Sequence, residues 1–168
     1  MAVCGWLHGQ GALGGDLTGP NPTDRGKAGT KRSLLVDGGG GPLSVVVAGA
    51  NVNDFKLLRP TLESVVAERP ECEQHLCLDR GYDNGVGECE ALINGYIPHI
   101  RRIGEEKLDE RGEKRFPARR WVVERTFAWL SKCRGLLVRY EKKAANYLGL
   151  IQVACILLWF RRYHRLAF

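Results

Sequence analysis

Hydrophobic and polar positions along this chain alternate between two rhythms, and together they predict an α/β fold. Leu34-Leu35-Val36 and residues 43–47 are short apolar or β-branched runs joined by Asp37-Gly38-Gly39-Gly40-Gly41-Pro42. That is the pattern of a hairpin, with Asp37 as a turn residue. Asn53 or Asp54 can cap a helix that places Leu57, Leu58, Leu62, Val65 and Val66 on one face, with Pro70 as its stop. His75-Leu76-Cys77-Leu78 predicts a short buried strand, broken off at Asp79-Arg80-Gly81-Tyr82. A helix through Val86, Cys89, Leu92 and Ile93 follows, closed by Asn94-Gly95, and then a short strand over residues 96–100. Residues 101–117 are highly charged without an apolar face and read as an exposed loop. From Ala118 the spacing predicts one long helix burying Val122, Val123, Thr126, Phe127, Trp129, Leu130, Cys133 and Leu137. A last helix over 146–164 carries Leu150, Ile151, Ala154, Leu157, Leu158 and Phe160. Residues 1–30, glycine-rich and aperiodic, read as an irregular segment, leaving 31–168 as the folded domain. Strands interleaved with helices in this order argue a mixed sheet flanked by helices.

Composition changes this picture in two places. A chain of 168 residues with 44% hydrophobic and 26% charged residues can bury one real core. The net charge of +6 is uneven: residues 101–168 hold 17 Lys/Arg against 7 Asp/Glu, so the excess lies entirely in the C-terminal part. A basic half of this kind suits a polyanionic partner, or is simply a solvated surface. Six cysteines without a C-x-x-C pair and four scattered histidines show no zinc-type cluster, and fit a reducing cytoplasm. No signal peptide is evident, and the apolar stretch 148–160 reads as a core helix too short to cross a bilayer, so no membrane partner is expected. Gly26-Lys27 lacks the spacing of a phosphate-binding loop.

The candidate chemistry rests on two acids. Asp79 ends a buried strand, at the rim where open α/β sheets bind ligands, although an Asp there equally caps a following helix. Glu124 sits in an otherwise apolar helical turn, one turn after Arg120; alone it reads as half of a surface ion pair worth about 0.3–0.5 kcal/mol. Taken together, a strand-end Asp and a helix-borne Glu can share a Mg²⁺ ion, which takes few carboxylates and leaves room for phosphate oxygens. Arg101, Arg102, Arg119, Arg120, Lys132 and Arg134 flank the pair in sequence and offer positive ground to a nucleic-acid backbone. The metal reading requires the two carboxylates to meet within one ion's reach on one side of the sheet.

These segments resemble the catalytic part of bacterial insertion-sequence transposases of the DDE type. The resemblance is carried by GPNPTDRGKAGTKRSLLVDG (19–38), VVVAGANVNDFKLL (45–58), LDRGYD (78–83), YIPHIRRIGEEK (96–107) and RRWVVERTFAWLSKCRGLLVRYEKKAANYLGL (119–150). It implies an RNase H-like core, an Asp-Asp-Glu site holding two divalent cations (Mg²⁺ or Mn²⁺), DNA as partner at element ends and target, and action at the bacterial nucleoid in the cytoplasm. A homo-oligomer is also a possibility. Asp79 matches the second acid, Glu124 the third, and Arg120 the arginine of the family's Y-x-x-R-x-x-x-E-x-x-x-x-x-x-K signature. Phe116-Pro117 stands where its tyrosine would be, and Ser131 where its lysine would be, so the basic position passes to Lys132. The first acid has no counterpart, since residues 1–15 contain neither Asp nor Glu. Asp16 is the nearest acid in sequence, and Asp37 a poor substitute. The expectation is therefore a transposase whose first core strand is missing or degraded, an N-terminally truncated and catalytically impaired copy. Two alternatives stay open, a non-catalytic DNA-binding or oligomerising fragment and an unrelated metal-dependent nuclease of the same fold.

Overall fold

The computed structural model describes residues 1–11, 13–82, 85–100 and 120–166. Among them lie strands β1 (Ala2–Gly11), β2 (Gly19–Pro20), β3 (Ala28–Asp37), β4 (Pro42–Gly49), β5 (His75–Leu78), β6 (Ile97–Ile100) and β7 (Val138–Arg139). The helices are α1 (Asp54–Glu63), α2 (Gly85–Ile93), α3 (Arg120–Leu130), α4 (Arg134–Leu137) and α5 (Ala144–Leu166). The main strands run β4-β3-β1-β5-β6 across the sheet, with β2 added beside β3 and β7 beside the far end of β1. β4, β3 and β1 are antiparallel, whereas β1, β5 and β6 are parallel. This is the expected mixed sheet, and helices cover both of its faces.

Strand alternation sends neighbouring residues to opposite layers. Val3, Leu34, Val36 and Cys77 pack beneath α3, α4 and α5, against Val122, Val123, Phe127, Leu130, Leu136, Tyr147 and Ile151. Ala2, Cys4, Leu35, Leu76 and Leu78 face the other way, onto Leu58 and Leu62 of α1 and Ala91 of α2. The hairpin and the buried strand over 75–78 stand as the sequence predicts; the helix that follows is present too, but Val86, Cys89, Leu92 and Ile93 are exposed, and Gly87 and Ala91 are the residues it buries.

Four expectations need correction. The first concerns residues 1–30, which are not an irregular segment: β1 is ten residues long, sits at the centre of the sheet and pairs with β3 from Ala2↔Asp37 to Gln10↔Gly29. Its glycines hide the strand signal because they are there for close packing. A Cβ at Gly5 would come within 2.7 Å of a Val123 methyl group, so the missing side chain is what lets α3 lie on β1. The first core strand is thus present; what it lacks is an acid.

Second, α1 stops at Glu63, well before Pro70, and Val66 is exposed. Third, the long helix from Ala118 is broken. Residues 131–133 form a turn after α3, α4 is one turn long, and Val138–Arg139 leave it as a strand to pair with Gln10 and Gly11. Leu136 rather than Leu137 enters the core. The break satisfies Arg139, which is fully buried and donates to the carbonyls of Glu141, Lys142 and Leu17 and to the Thr30 hydroxyl. A helix continued through 139 would strand that guanidinium.

Fourth, α5 is a core helix on one side only. Tyr147, Ile151 and Ala154 are buried, while Leu150, Leu157 and Phe160 point outward. The segment Ala144–His164 is also long and apolar enough, by length and composition, to cross a membrane. Its inner side is nonetheless tied into the protein, Trp159 Nε1 donating to the Pro42 carbonyl at 2.7 Å and Arg162 pairing with Asp37 at 2.7 Å.

Candidate functional site

β5 delivers Asp79 to the C-terminal rim of the sheet, immediately before the 3₁₀ turn Arg80–Tyr82. α3 delivers Glu124. Its neighbours Val122 and Val123 are buried against the sheet, which orients the helix and leaves Glu124 on the flank facing the rim, 57% exposed. Arg120, one turn earlier, lies between the two acids. Its Nη1 is 3.1 Å from an Asp79 carboxylate oxygen and its Nε 2.8 Å from one of Glu124. Two carboxylates 45 positions apart in the chain thus converge on one planar guanidinium, on the same side of the sheet. Among the described residues, the Asp79 carboxylate pairs with Arg120.

All three residues line a cavity of about 430 Å³ that also takes in Gly5, Trp6, Leu7, Phe127, Ala128 and Ser131. The third wall is the informative one. β1 and β5 pair in parallel as Ala2↔Leu76 and Val3↔Cys77, so two further steps bring Gly5 beside Asp79. Val3 and Cys77 face α3, and alternation turns Gly5 and Asp79 to the same layer. A side chain at position 5 would therefore enter the layer that holds Asp79 and Glu124, against Val123, and glycine offers no ligand there. Cys4 does not compensate, because it belongs to the opposite layer and burial pushes its thiol up to about 12, leaving it protonated.

The other residues expected at the site fall as follows. Lys132 and Arg134 are exposed on the connection after α3, just beyond Ser131 of the cavity wall. Arg101, Arg102 and Arg119 lie outside the described residues. Asp37 pairs with Ala2 at the start of β1, three residues before Gly5, and its carboxylate is held by the Gly39 and Gly41 amides and by Arg162. Trp6, unassigned by sequence, is a β1 residue whose ring takes the Lys31 ammonium 4.9 Å from its centroid. Sequence reading missed Gly5 altogether. The signal available was only the short run Ala2-Val3-Cys4, too brief to announce a strand.

A divalent cation can be weighed against this donor set. Asp79 and Glu124 suit one such ion, which asks for one or two carboxylates beside substrate oxygens. Among the described residues no group of three His, Cys, Asp or Glu comes together, so a second ion finds no further side-chain ligand there.

The chain compares with known proteins as this geometry suggests. Residues 8–159 match the model of the transposase DDE domain. Over 150 residues the chain is 34% identical to a Burkholderia cepacia protein described as "Putative transposase for insertion sequence element IS402", a match covering 84% of this chain and 67% of that protein. That family uses divalent metal ions and acts on DNA. With a match over most of its length and a mixed sheet that gathers Asp79 and Glu124 at one rim, the chain belongs to the DDE-type insertion-sequence transposases.

Proposed function

We propose that this protein is the catalytic core of a DNA transposase, built for metal-dependent cutting and strand transfer of an insertion sequence, and that this copy is catalytically impaired. The observation that carries the reading is the convergence of Asp79 and Glu124 on Arg120 beside a glycine at position 5.

In this reading Asp79 and Glu124 hold one Mg²⁺ or Mn²⁺. A cation there would supply positive charge to phosphoryl oxygens and a more acidic bound water. Arg120 orients Glu124, and exchanges its carboxylate partners for a phosphate when DNA enters. Phe127, Ala128 and Leu7 form the apolar part of the cavity wall. Lys132, Arg134 and, beyond the described residues, Arg101, Arg102 and Arg119 bind the sugar-phosphate backbone, so affinity falls steeply with salt. Action at the nucleoid in a bacterial cytoplasm follows from this substrate.

The test is to incubate the chain with DNA carrying the element ends and either metal. Salt-sensitive DNA binding without strand transfer is expected. Vigorous Mg²⁺-dependent cleavage by the unaltered chain would overturn the impairment, and absence of DNA binding would overturn the assignment as a transposase core. The empty position at Gly5 also favours a second reading, a non-catalytic DNA-binding fragment that interferes with intact enzyme. Mixing the two separates these, since interference requires that strand transfer by the intact enzyme decline as the fragment is added.

A further inference from the structure

The cavity that takes in Asp79 and Glu124 lies in a notch of the sheet. β5 pairs with β1 only at Ala2 and Val3, and β7 only at Gln10 and Gly11. Among the described residues, the edge of β1 from Cys4 to Gly9 therefore has no strand beside it, and Cys4 to Leu7 line the cavity. Asp79 follows β5 on one side of the notch. The other side is the connection over residues 131–143, which leaves Ser131 in the cavity wall, pairs with β1 through β7 and reaches α5 at Ala144.

That second side carries charge that the protein itself leaves unbalanced. Lys132, Arg134, Lys142 and Lys143 are exposed, and none pairs with an acid among the described residues. Elsewhere Lys27, Lys31, Arg59, Arg120 and Arg162 each hold a carboxylate. Glu141, the one acid of the stretch, is half-buried, with a carboxylate oxygen sealed from solvent. The stretch is also fixed in place. Val138 and Arg139 run beside β1, the Arg139 guanidinium is buried, and the Asp16 amide donates to the Lys142 carbonyl at 2.9 Å. Two of the cations thus stand beside the cavity and two beyond the last residue of β1. Like charges gathered without acids repel one another and weaken a fold; a polyanion laid along them relieves that cost.

We propose that this side of the notch is a track for duplex DNA, on which the sugar-phosphate backbone leaving the cavity runs along residues 132–143 and Lys142 and Lys143 grip phosphates outside the catalytic notch. The proposal rests on the transposase reading above and extends it, since Lys132 and Arg134 mark only the near end of the path. Continuity with the cavity favours DNA over an acidic protein. Its charges also recur along a line, about one per 1.7 Å of helix axis, as the cations here follow one line of chain.

The experiment is fluorescence anisotropy of a fluorescein-labelled random-sequence duplex, without divalent metal, over a series of salt concentrations. Lys142→Gln combined with Lys143→Gln should weaken binding at least about 10-fold at low salt. It should also lower the slope of log affinity against log salt by about 1.8, at about 0.9 for each lost phosphate contact. Arg161→Gln, which removes a charge near the far end of α5, should leave affinity and slope unchanged. All three positions are exposed, so the circular dichroism spectrum should stay that of the parent. An unchanged slope in the folded double variant, or an equal loss per charge in Arg161→Gln, overturns the track, while duplex binding by the parent upholds the transposase reading. A parent that binds no duplex overturns both. Polyglutamate held as tightly as duplex, with the same dependence on the two lysines, overturns DNA as the occupant.

Discussion

Two arginine–carboxylate clusters lie on this molecule, and they are built differently. At the β3–β4 turn, one Asp37 oxygen accepts from the Gly39 amide at 2.8 Å, the Gly41 amide at 2.8 Å and Arg162 at 2.9 Å. Its other oxygen takes Arg162 at 2.7 Å, and the guanidinium also stacks over Trp159. Every element of that cluster closes on itself, tying the end of α5 to a hairpin. At the other cluster, Arg120 spans two acids with one nitrogen each, is 60% exposed, and opens onto a cavity. An acid–arginine contact is therefore no mark of function by itself. What separates the two clusters is that backbone amides hold the Asp37 carboxylate, whereas Arg120, Asp79 and Glu124 line a cavity.

The comparison can be broken most sharply at Gly5. Gly5→Asp combined with Val123→Ala, which clears the methyl group 2.7 Å from the new Cβ, should add a third carboxylate to the open cluster. Mn²⁺ affinity by calorimetry should rise on the order of 100-fold through the added ligand charge, and nicking of element-end DNA should become detectable. No gain in metal affinity by a folded double variant would show that position 5 does not face the acids.

At the closed cluster, Asp37→Asn should cost roughly 1.5–3 kcal/mol in urea unfolding at neutral pH, the range for hydrogen bonds to a charged group. Arg120→Gln should cost about 1 kcal/mol or less, as for a pair whose basic member is mostly exposed. Burial raises the Asp37 carboxyl, but Arg162 and the two amides outweigh it and hold it below the ordinary carboxylate value. A depressed carboxyl stabilises the fold above its unfolded pKa and loses that contribution as pH falls through the folded one. The gap between parent and Asp37→Asn should therefore be full above about pH 4 and shrink below it.

Arg120→Gln should separate the two roles of the open cluster. Removing a cation from between Asp79 and Glu124 should tighten Mn²⁺ about 10-fold while weakening DNA binding and its salt dependence. If both affinities fall together, Arg120 supports the acids rather than competing for them.

The smallest effect concerns His8 of β1, which burial and Lys31 hold below its ordinary value of 6.5. A histidine kept neutral in the fold binds its proton more readily when unfolded. Stability should therefore decline slightly as pH drops below about 6.5, and His8→Gln should flatten that decline.

Much of this molecule is legible in its sequence, for identifiable reasons. The β3–β4 hairpin and β5 show because their apolar runs end in unmistakable turn residues, and Asp79 is marked by the abrupt stop after Leu78. Glu124 shows because it interrupts an apolar helical side. β1 does not show, because Gly5 stands where α3 presses close and Gly11 where Thr18 does, and a strand rich in glycine lacks the β-branched run that announces one. The break after α3 was equally hidden, since Val122 to Leu137 keeps a nearly continuous helical spacing. It is Arg139, needing carbonyls from Leu17 and Lys142, that bends the chain away. Outward Leu150, Leu157 and Phe160 look like core by composition, and only packing distinguishes the two sides of α5.

The seam closed by Arg139 also dictates a schedule for biogenesis. That guanidinium, together with the Asp16 amide donating to the Lys142 carbonyl at 2.9 Å, sews the outer half of β1 to a segment translated some 130 residues later. A ribosome must add some 130 residues after β1 before that strand acquires its last neighbour. Contacts of such long sequence separation slow folding. During that interval the distal half of β1 is a bare edge, which makes translation rate and chaperone supply the levers on soluble yield.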